Sequence, residues 1–453
     1  MEVFCCGDAG TFIKKVWGQP GTSTRPPRKG DHVTTVNTAA SAKGCPVVDS
    51  YQPTADEQLV DPFSAWAVAR RETPVFFAPA LGAYVLTRYD DICAITNDPQ
   101  TFSNSDILKP LKPTPPQVAE VLADGFDPSK LGAMIMLDPP EHDKVRRSLS
   151  ARFTPKRIAQ LEQEIRTAAD DFIDRMQAGG ASADFVKSFA YPLPLRIICR
   201  LLGVPLEDSD QLHEWATFKL ALQFGDMPLD EHVRAAHGYV DFQRYVSNLI
   251  DQKRVDPQDD LISAMLAPTA DGDVLDDVVL VGQVMGLVNA GHETTTTVLT
   301  MGLYHLLSNR EQWDMLCADP GLAAAAAEES LRFDGPIKQL WRRATRDVEV
   351  GGVPIPRGAR IAIVNGSANR DESVFDDSER FDIATKRDKA NLAFGRGTHY
   401  CLGANLARAE ARISFEMLSA RIPSIRLATG APTGYARNVT VRMPLGLDVE
   451  WDG

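Results

Sequence analysis

From Leu275 to Ser308 apolar residues recur every three to four positions over some 34 residues, enough for about nine helical turns. At about 1.5 Å per residue such a helix crosses a whole domain, so the rest of the chain must pack around it. Asp276 and Asp277 stand at its start, where the helix dipole favours acids. Its most apolar stretch, Val278 to Ala290, is interrupted by Gly282, Gln283, Gly286 and Asn289 and falls short of the roughly 20 residues that a bilayer span needs. We expect a buried central helix and no transmembrane segment.

Much of the remaining sequence is also helical in pattern. Asp208 to Gln223 and Asp230 to Lys253 carry apolar residues at three-to-four spacing, with Pro228 between them. Alternation around Gly82 predicts a β-hairpin between Pro74 and Tyr89. Short strands are expected again at Val348 to Val350, at Val353 to Pro356 after a Gly351-Gly352 turn, and at Arg360 to Val364; a final helix follows Cys401 at once. Residues 1–44, rich in Thr, Gly, Pro and Lys/Arg without an apolar period, predict a flexible extension ahead of one folded domain over 45–453. Cys5 and Cys6 could carry a lipid, and the acid-poor stretch could be a transit peptide, but an over-long start or a disordered tail accounts for the composition more simply.

Composition removes several function classes. A formal net charge of -13 leaves no basic footprint for displacing counterions from nucleic acid. The seven cysteines are odd in number and lack the spacing of a zinc or iron-sulfur site, which fits a reducing, cytoplasmic setting. With 44% hydrophobic and 24% charged residues the chain has ample material for a globular core.

The segment with the sharpest chemistry is Phe394-Gly395-Arg396-Gly397-Thr398-His399-Tyr400-Cys401-Leu402-Gly403-Ala404. Two glycines shortly before a cysteine let the backbone turn tightly and aim amide donors at the sulfur, and the helix that opens after it favours an anion there. On these residues alone, a stabilised thiolate and a buried structural cysteine stay equally open. Gly395, Gly397 and Gly403 do not keep the spacing of a dinucleotide fingerprint. Within the long helix, Ala290-Gly291-His292-Glu293-Thr294-Thr295 sets a residue without a side chain beside an acid and an alcohol. The β-branched run Thr294 to Thr297 offers hydroxyls that compete for backbone carbonyls, which predicts local widening or kinking of the helix. Glu329 and Arg332 are an i,i+3 pair, and His142 and Arg146 in Asp138 to Arg147 lie i,i+4 on one helix face, able to hold a carboxylate together.

Taken together, these segments resemble the motifs of the cytochrome P-450 family in order and spacing, from roughly Asp61 to the C-terminus. The resemblance implies a mainly α fold with a smaller β-rich lobe, and haem b (iron protoporphyrin IX) as cofactor. By the same resemblance Cys401 is the iron ligand, and His142, Arg146, Arg342 and His399 contact the propionates, with Arg343 a close competitor of Arg342. Ala290, Gly291 and Phe394 would flank the haem, Glu293 and Thr294 would relay protons for O2 activation, and Glu329-Arg332 would brace the core. His292 is expected to face away and pack. The implied activity is that of a monooxygenase which puts one atom of O2 into a small or medium-sized apolar or aromatic substrate, by hydroxylation or O-dealkylation.

No flavin or nicotinamide motif is visible, so a ferredoxin or flavodoxin with its NAD(P)H-dependent reductase is the implied partner, and neither nucleic acid nor membrane is expected. The intact Glu293-Thr294 pair argues against an H2O2-using peroxygenase, and a haem sensor without turnover is the rival from another class. Pocket residues are expected from Ser103 to Met136, the helices flanking Pro228, Leu287 and Ala290, Ile337 to Leu340, and Val439 to Val441. Within Ile337 to Leu340, Lys338 is the one charge; it either meets an acidic substrate or, as we favour, reaches solvent or a protein acid.

Overall fold

The long apolar pattern becomes a single helix, Asp277–Ser308, buried along nearly its whole length from Leu280 to Leu307. The computed structural model describes residues 45–452 except 111, 128–129, 151–152, 154, 226, 269–271 and 273. The extension expected over 1–44, with Cys5 and Cys6, lies outside the described residues. In chain order, the helices that build the site and its support are α1 (Glu141–Ser150), α2 (Pro155–Ala178), α3 (Pro192–Leu202), α4 (Ser209–Phe224), α5 (Leu229–Val255), α6 (Asp277–Ser308), α7 (Ala323–Asp334) and α8 (Ala404–Arg421). Helices α3, α4, α5, α7 and α8 all pack on α6. A helix that is apolar all round needs such a jacket, which is why the pattern of α6 has no polar face. The helix starts two residues later than the periodicity suggests, with Asp276 in an extended conformation before it and Asp277 in its first turn.

Pro228 separates α4 from α5, as its fixed φ and missing N–H require. Where α5 crosses α4, Gly238 faces the Phe218 ring so closely that an added Cβ would stand 2.3 Å from it. A side chain there would overpack the crossing, typically at about 1–3 kcal/mol.

The β-rich lobe is a five-stranded sheet of β1 (Val75–Ala78), β2 (Ala83–Leu86), β3 (Phe102–Ser103), β4 (Leu340–Ala344) and β5 (Arg360–Ile363), in the order β1-β2-β5-β4-β3. The expected hairpin is β1 with β2, Val75 opposite Leu86. Strand β5 runs parallel to β2 and antiparallel to β4, with Ala362 opposite both Val85 and Trp341. The Gly351-Gly352 turn joins Val348–Val350 to Val353–Ile355. Among the described residues, no helix is long and apolar enough to cross a membrane.

Helix α7 is tied to the segment that leads to Cys401 by a buried ion network. Arg332 donates to both oxygens of Glu329, from Nε at 2.8 Å and Nη2 at 2.7 Å, and to the carbonyls of Asn369, Ser378 and Arg380. Arg387, which the sequence does not single out, adds a third charge to the group at 3.0 Å from Glu329. Burial pushes the Glu329 carboxyl upward, but the hydrogen bonds and charges of Arg332 and Arg387 outweigh it and hold it below the usual range.

Candidate active site

A cavity of about 340 Å³ lies between α4, α6, the start of β4 and the segment Phe394 to Ala407. Gly395 (φ +68°) and Gly397 (φ +70°) take left-handed conformations in that segment, and a Cβ on Gly397 would come within 2.4 Å of the Thr96 carbonyl. The turn they allow folds the chain back so that the Cys401 amide donates to the Phe394 carbonyl at 2.9 Å, three residues before α8 begins. The Cys401 side chain is deep in the molecule yet open, because what it faces is the cavity. Burial pushes its thiol up, and the Gly403 amide and the charges of Arg146 and Arg408 pull it back only in part. The turn and the helix N-terminus thus only partly offset burial of the thiol; a cation bound at sulfur would favour the thiolate.

Beside the cavity, buried polar nitrogens gather without partners. The His142 and His399 rings are 4.3 Å apart. His142 Nε2, Arg146 Nη1 and both ring nitrogens of His399 are buried and have no hydrogen-bond partner among the described residues. Arg342 arrives from β4, buried, bonded through Nη1 to the Trp341 carbonyl at 2.7 Å. Burial pushes Arg342 down to about 10, against the opposing charge of Asp138. His399 is pushed down to about 3 by burial, then by His142, Arg342 and Arg146. Arg343, the competing residue, is exposed and pairs with Asp106 at 3.4 Å outside this group. Each unmet buried donor costs about 1–3 kcal/mol, so the cluster is built for an acid. A flat ring with two carboxylates, which haem is, would meet that demand, with Cys401 available to hold its iron.

The opposite wall is α6. Ala290, Gly291, Thr294 and Leu287 line the cavity, and Thr294 Oγ1 donates to the Ala290 carbonyl at 2.7 Å. Thr296, Thr297 and Thr300 likewise bond back four residues. These bonds do not break the helix, which stays α-helical throughout, so the widening expected from the threonine run is absent. Gly291 has a further constraint: a Cβ there would meet Ile198 of α3 at 3.0 Å, so its lack of a side chain also lets α3 and α6 approach.

Glu293 is 5% exposed and borders both this cavity and a smaller one lined by Tyr191, His213 and Thr217. His292 faces away from the large cavity, as expected, with its ring 4.7 Å from that of Tyr191. His213 and Thr217 of α4 are functional candidates the sequence did not disclose. They sit i,i+4 on one helix face, but nothing in the chain tells which face meets Glu293.

Of the expected pocket residues, Ile337 and Leu340 line the cavity together with Asn104, Ile107, Met134, Thr440 and Val441, while Phe394 closes it beside Cys401. Lys338 does not. It is 4% exposed and its Nζ donates to the Asn438 carbonyl at 2.7 Å, so it meets neither solvent nor a substrate. Burial and then Arg442 push it down to about 7, with Asp334 opposing. A lysine that does border the cavity is Lys219 of α4, which the sequence reading passed over; Arg342 and Arg396 line it too.

The Cytochrome P450 family profile matches residues 117–319 and 321–418. Vitamin D(3) 25-hydroxylase of Pseudonocardia autotrophica is 35% identical over 394 residues, 85% of this chain and 93% of that protein. Among solved structures, cytochrome P450 CREJ in complex with (4-ethylphenyl) dihydrogen phosphate matches with a TM-score of 0.83 at 33% identity, covering 89% of this chain and 99% of that one. Full-length CYP116B46 from Tepidiphilus thermophilus matches with a TM-score of 0.84 at 34% identity, covering 89% of this chain and 54% of its own. The mainly helical fold with its small sheets agrees with the comparisons: the chain belongs to the cytochrome P450 family of haem-dependent monooxygenases that hydroxylate organic substrates.

Proposed function

We propose that residues 45–453 form one cytoplasmic catalytic domain that oxidises a small or medium-sized organic compound with a mainly apolar or aromatic body, by hydroxylation or O-dealkylation. The observation that carries this reading is the meeting, in one cavity, of an open Cys401 sulfur with His399 and the buried Arg342, backed by the partnerless nitrogens of His142 and Arg146. Cys401 would hold the iron; His142, Arg146, Arg342 and His399 would hold the propionates; Ala290, Gly291 and Phe394 would bound the ring. When bound, the haem supplies O2 binding and activation, and the thiolate donates electron density that favours O–O cleavage. The rest falls to this chain. Leu287, Ile337 and Leu340 exclude water from the substrate side, Thr294 offers a hydroxyl at the cavity wall, and Glu293 brings protons to it from the small cavity behind α6.

Electrons would come from a ferredoxin or flavodoxin and its NAD(P)H-dependent reductase. CYP116B46 is matched over about half of its length only, which fits a chain that corresponds to one part of a longer protein there. Vitamin D3 and 4-ethylphenyl phosphate, named with two of the relatives, both combine a large apolar body with a polar end. The test is the reduced, CO-bound spectrum: wild type should give the strongly red-shifted band of thiolate-ligated haem, and folded Cys401→Ser should lose it. An unchanged band in Cys401→Ser removes Cys401 from the iron.

A further inference from the structure

Lys219 differs from the other buried cations of the described residues. Arg70, Arg332, Arg370 and Arg442 each face a carboxylate, Lys338 bonds a carbonyl, and Arg342 belongs to the donor cluster at the cavity edge. Lys219 is 7% exposed, borders the cavity, and is paired with no acid or acceptor among the described residues. Burial alone, with no charge opposing it, pushes its ammonium down to about 8. A buried amine with nothing to bind is a standing cost that a ligand anion would remove.

The packing of α4 on α6 sets where that anion would lie. His213 Nδ1 is 3.7 Å from Glu293 Oε1, and Asn289 Nδ2 donates to the Ala216 carbonyl at 2.8 Å, so three residues forward on α4 answer four residues back on α6. Lys219 lies three residues further along α4, and Gly286 of α6 lines the same cavity. A Cβ built on Gly286 meets nothing within 4 Å, so the cavity is open at that point of α6. Gly286 and Thr294 are eight residues apart, about 12 Å along the helix. Gln223, one turn beyond Lys219 on the same face of α4, also lines the cavity and offers an amide. Around them stand Leu220, Phe224 and Leu287, which suit an apolar body.

We propose that the substrate is an organic anion, a carboxylate or a phosphate ester, whose charged end binds Lys219 while an apolar body reaches towards Thr294. The oxidised carbon is then separated from the acid by the length of a ring or of several carbons. This rests on the haem-thiolate reading above only for the oxidation; the recognition is a property of Lys219 itself.

The holoenzyme and its Lys219→Met and Lys219→Arg variants would be titrated with 4-ethylbenzoate, 4-ethylphenyl phosphate and neutral 4-ethylbenzamide, by calorimetry and by the haem spin-state change. At least one acid should bind wild type tenfold or more tighter than the amide, and the preferred acid tells carboxylate from phosphate. Lys219→Met should lose that preference and keep amide binding; Lys219→Arg should retain it. Without ligand, Lys219→Met should fold and melt above wild type, since it removes an unpaired buried charge. No acid preference in wild type, or one that survives in Lys219→Met, overturns the proposal, as does a failure of both acids to bind. Calorimetry reads the comparison whatever ligates the iron, so a missing thiolate CO band with intact acid selectivity would overturn the function proposed above and leave this inference standing.

Discussion

His213 of α4 holds its Nδ1 3.7 Å from Oε1 of Glu293 on α6, with both side chains almost fully buried. His292 brings its own Nδ1 to 3.8 Å from the same oxygen, and the Tyr191 ring closes the group 4.2 Å from the His213 ring. Burial pushes Glu293 up to about 7, with a Thr217 hydrogen bond opposing it. Burial also drives His213 well below its ordinary value, helped by His292, and takes His292 itself down to about 3. Near neutral pH the carboxyl is therefore close to half protonated and faces uncharged imidazoles that can accept. An acid so tuned can both release and regain a proton at working pH, which a carboxyl of ordinary acidity cannot do efficiently.

Glu293→Gln and Thr294→Ala are accordingly expected to keep spin-state binding of a substrate while diverting electrons into H2O2. Positioned general acids contribute about 10²-fold or more, so product formation should fall by a factor of that order. The check is the ratio of product to reductant consumed, with H2O2 measured in parallel. Equal coupling in wild type and both variants would remove the relay from the mechanism.

The same shift makes a stability prediction. Glu293 binds its proton more tightly folded than unfolded, so its contribution is fully present below the ordinary carboxyl value of 4.5 and is lost as pH rises through about 7. Relative to wild type, Glu293→Gln should gain stability between pH 5 and 7 and level off above, on the order of 3 kcal/mol in all. Urea unfolding of both proteins across pH 5–8 measures it. A difference that is flat with pH would mean that Glu293 is not held protonated by its surroundings.

Arg332→Ala should be far more damaging than its distance from the cavity suggests. It strips Glu329 of two hydrogen bonds and three backbone carbonyls of a donor, leaving Arg387 and the Asp382 amide as remaining partners of the buried acid. Breaking a buried pair from one side costs about 3–5 kcal/mol, to be read as a lowered urea midpoint. A loss below about 1 kcal/mol would show that the network does not brace the segment leading to Cys401.

What could be read from the chain was local. The period of α6, the Pro228 break, the Gly351-Gly352 turn and the glycines before Cys401 each record a constraint that acts within a few residues, and the folded chain keeps them. What could not be read was the meeting of distant elements. For Lys338, which sits among apolar residues beside a cavity strand, the sequence left both a substrate and solvent or a protein acid open; an extended segment turns its side chains alternately, and this one turns to the Asn438 carbonyl. Lys219, His213 and Thr217 lie on a helix whose sequence gives no hint of which side crosses α6. The state of the Cys401 thiol stayed open for a related reason: the favourable amides are local, whereas the burial that opposes them comes from the whole fold.

The donor cluster should show opposite signs with and without haem. Arg342 is pushed down to about 10 by burial, a penalty on the order of 3 kcal/mol for its charged form in the haem-free protein. Replacing it with methionine removes that penalty, so apo Arg342→Met should unfold at a higher urea concentration than apo wild type. In the holoprotein the same change removes a charged partner of a propionate, and charge-assisted hydrogen bonds are the stronger kind. Haem should therefore pass to excess apomyoglobin faster from the variant, by roughly tenfold or more if about 1.4 kcal/mol of that contact is lost. Loss of stability in both states would make Arg342 a structural residue of β4, and unchanged haem transfer would take it out of the propionate site. Only the inverted pair of results matches a charge held in wait for an acid.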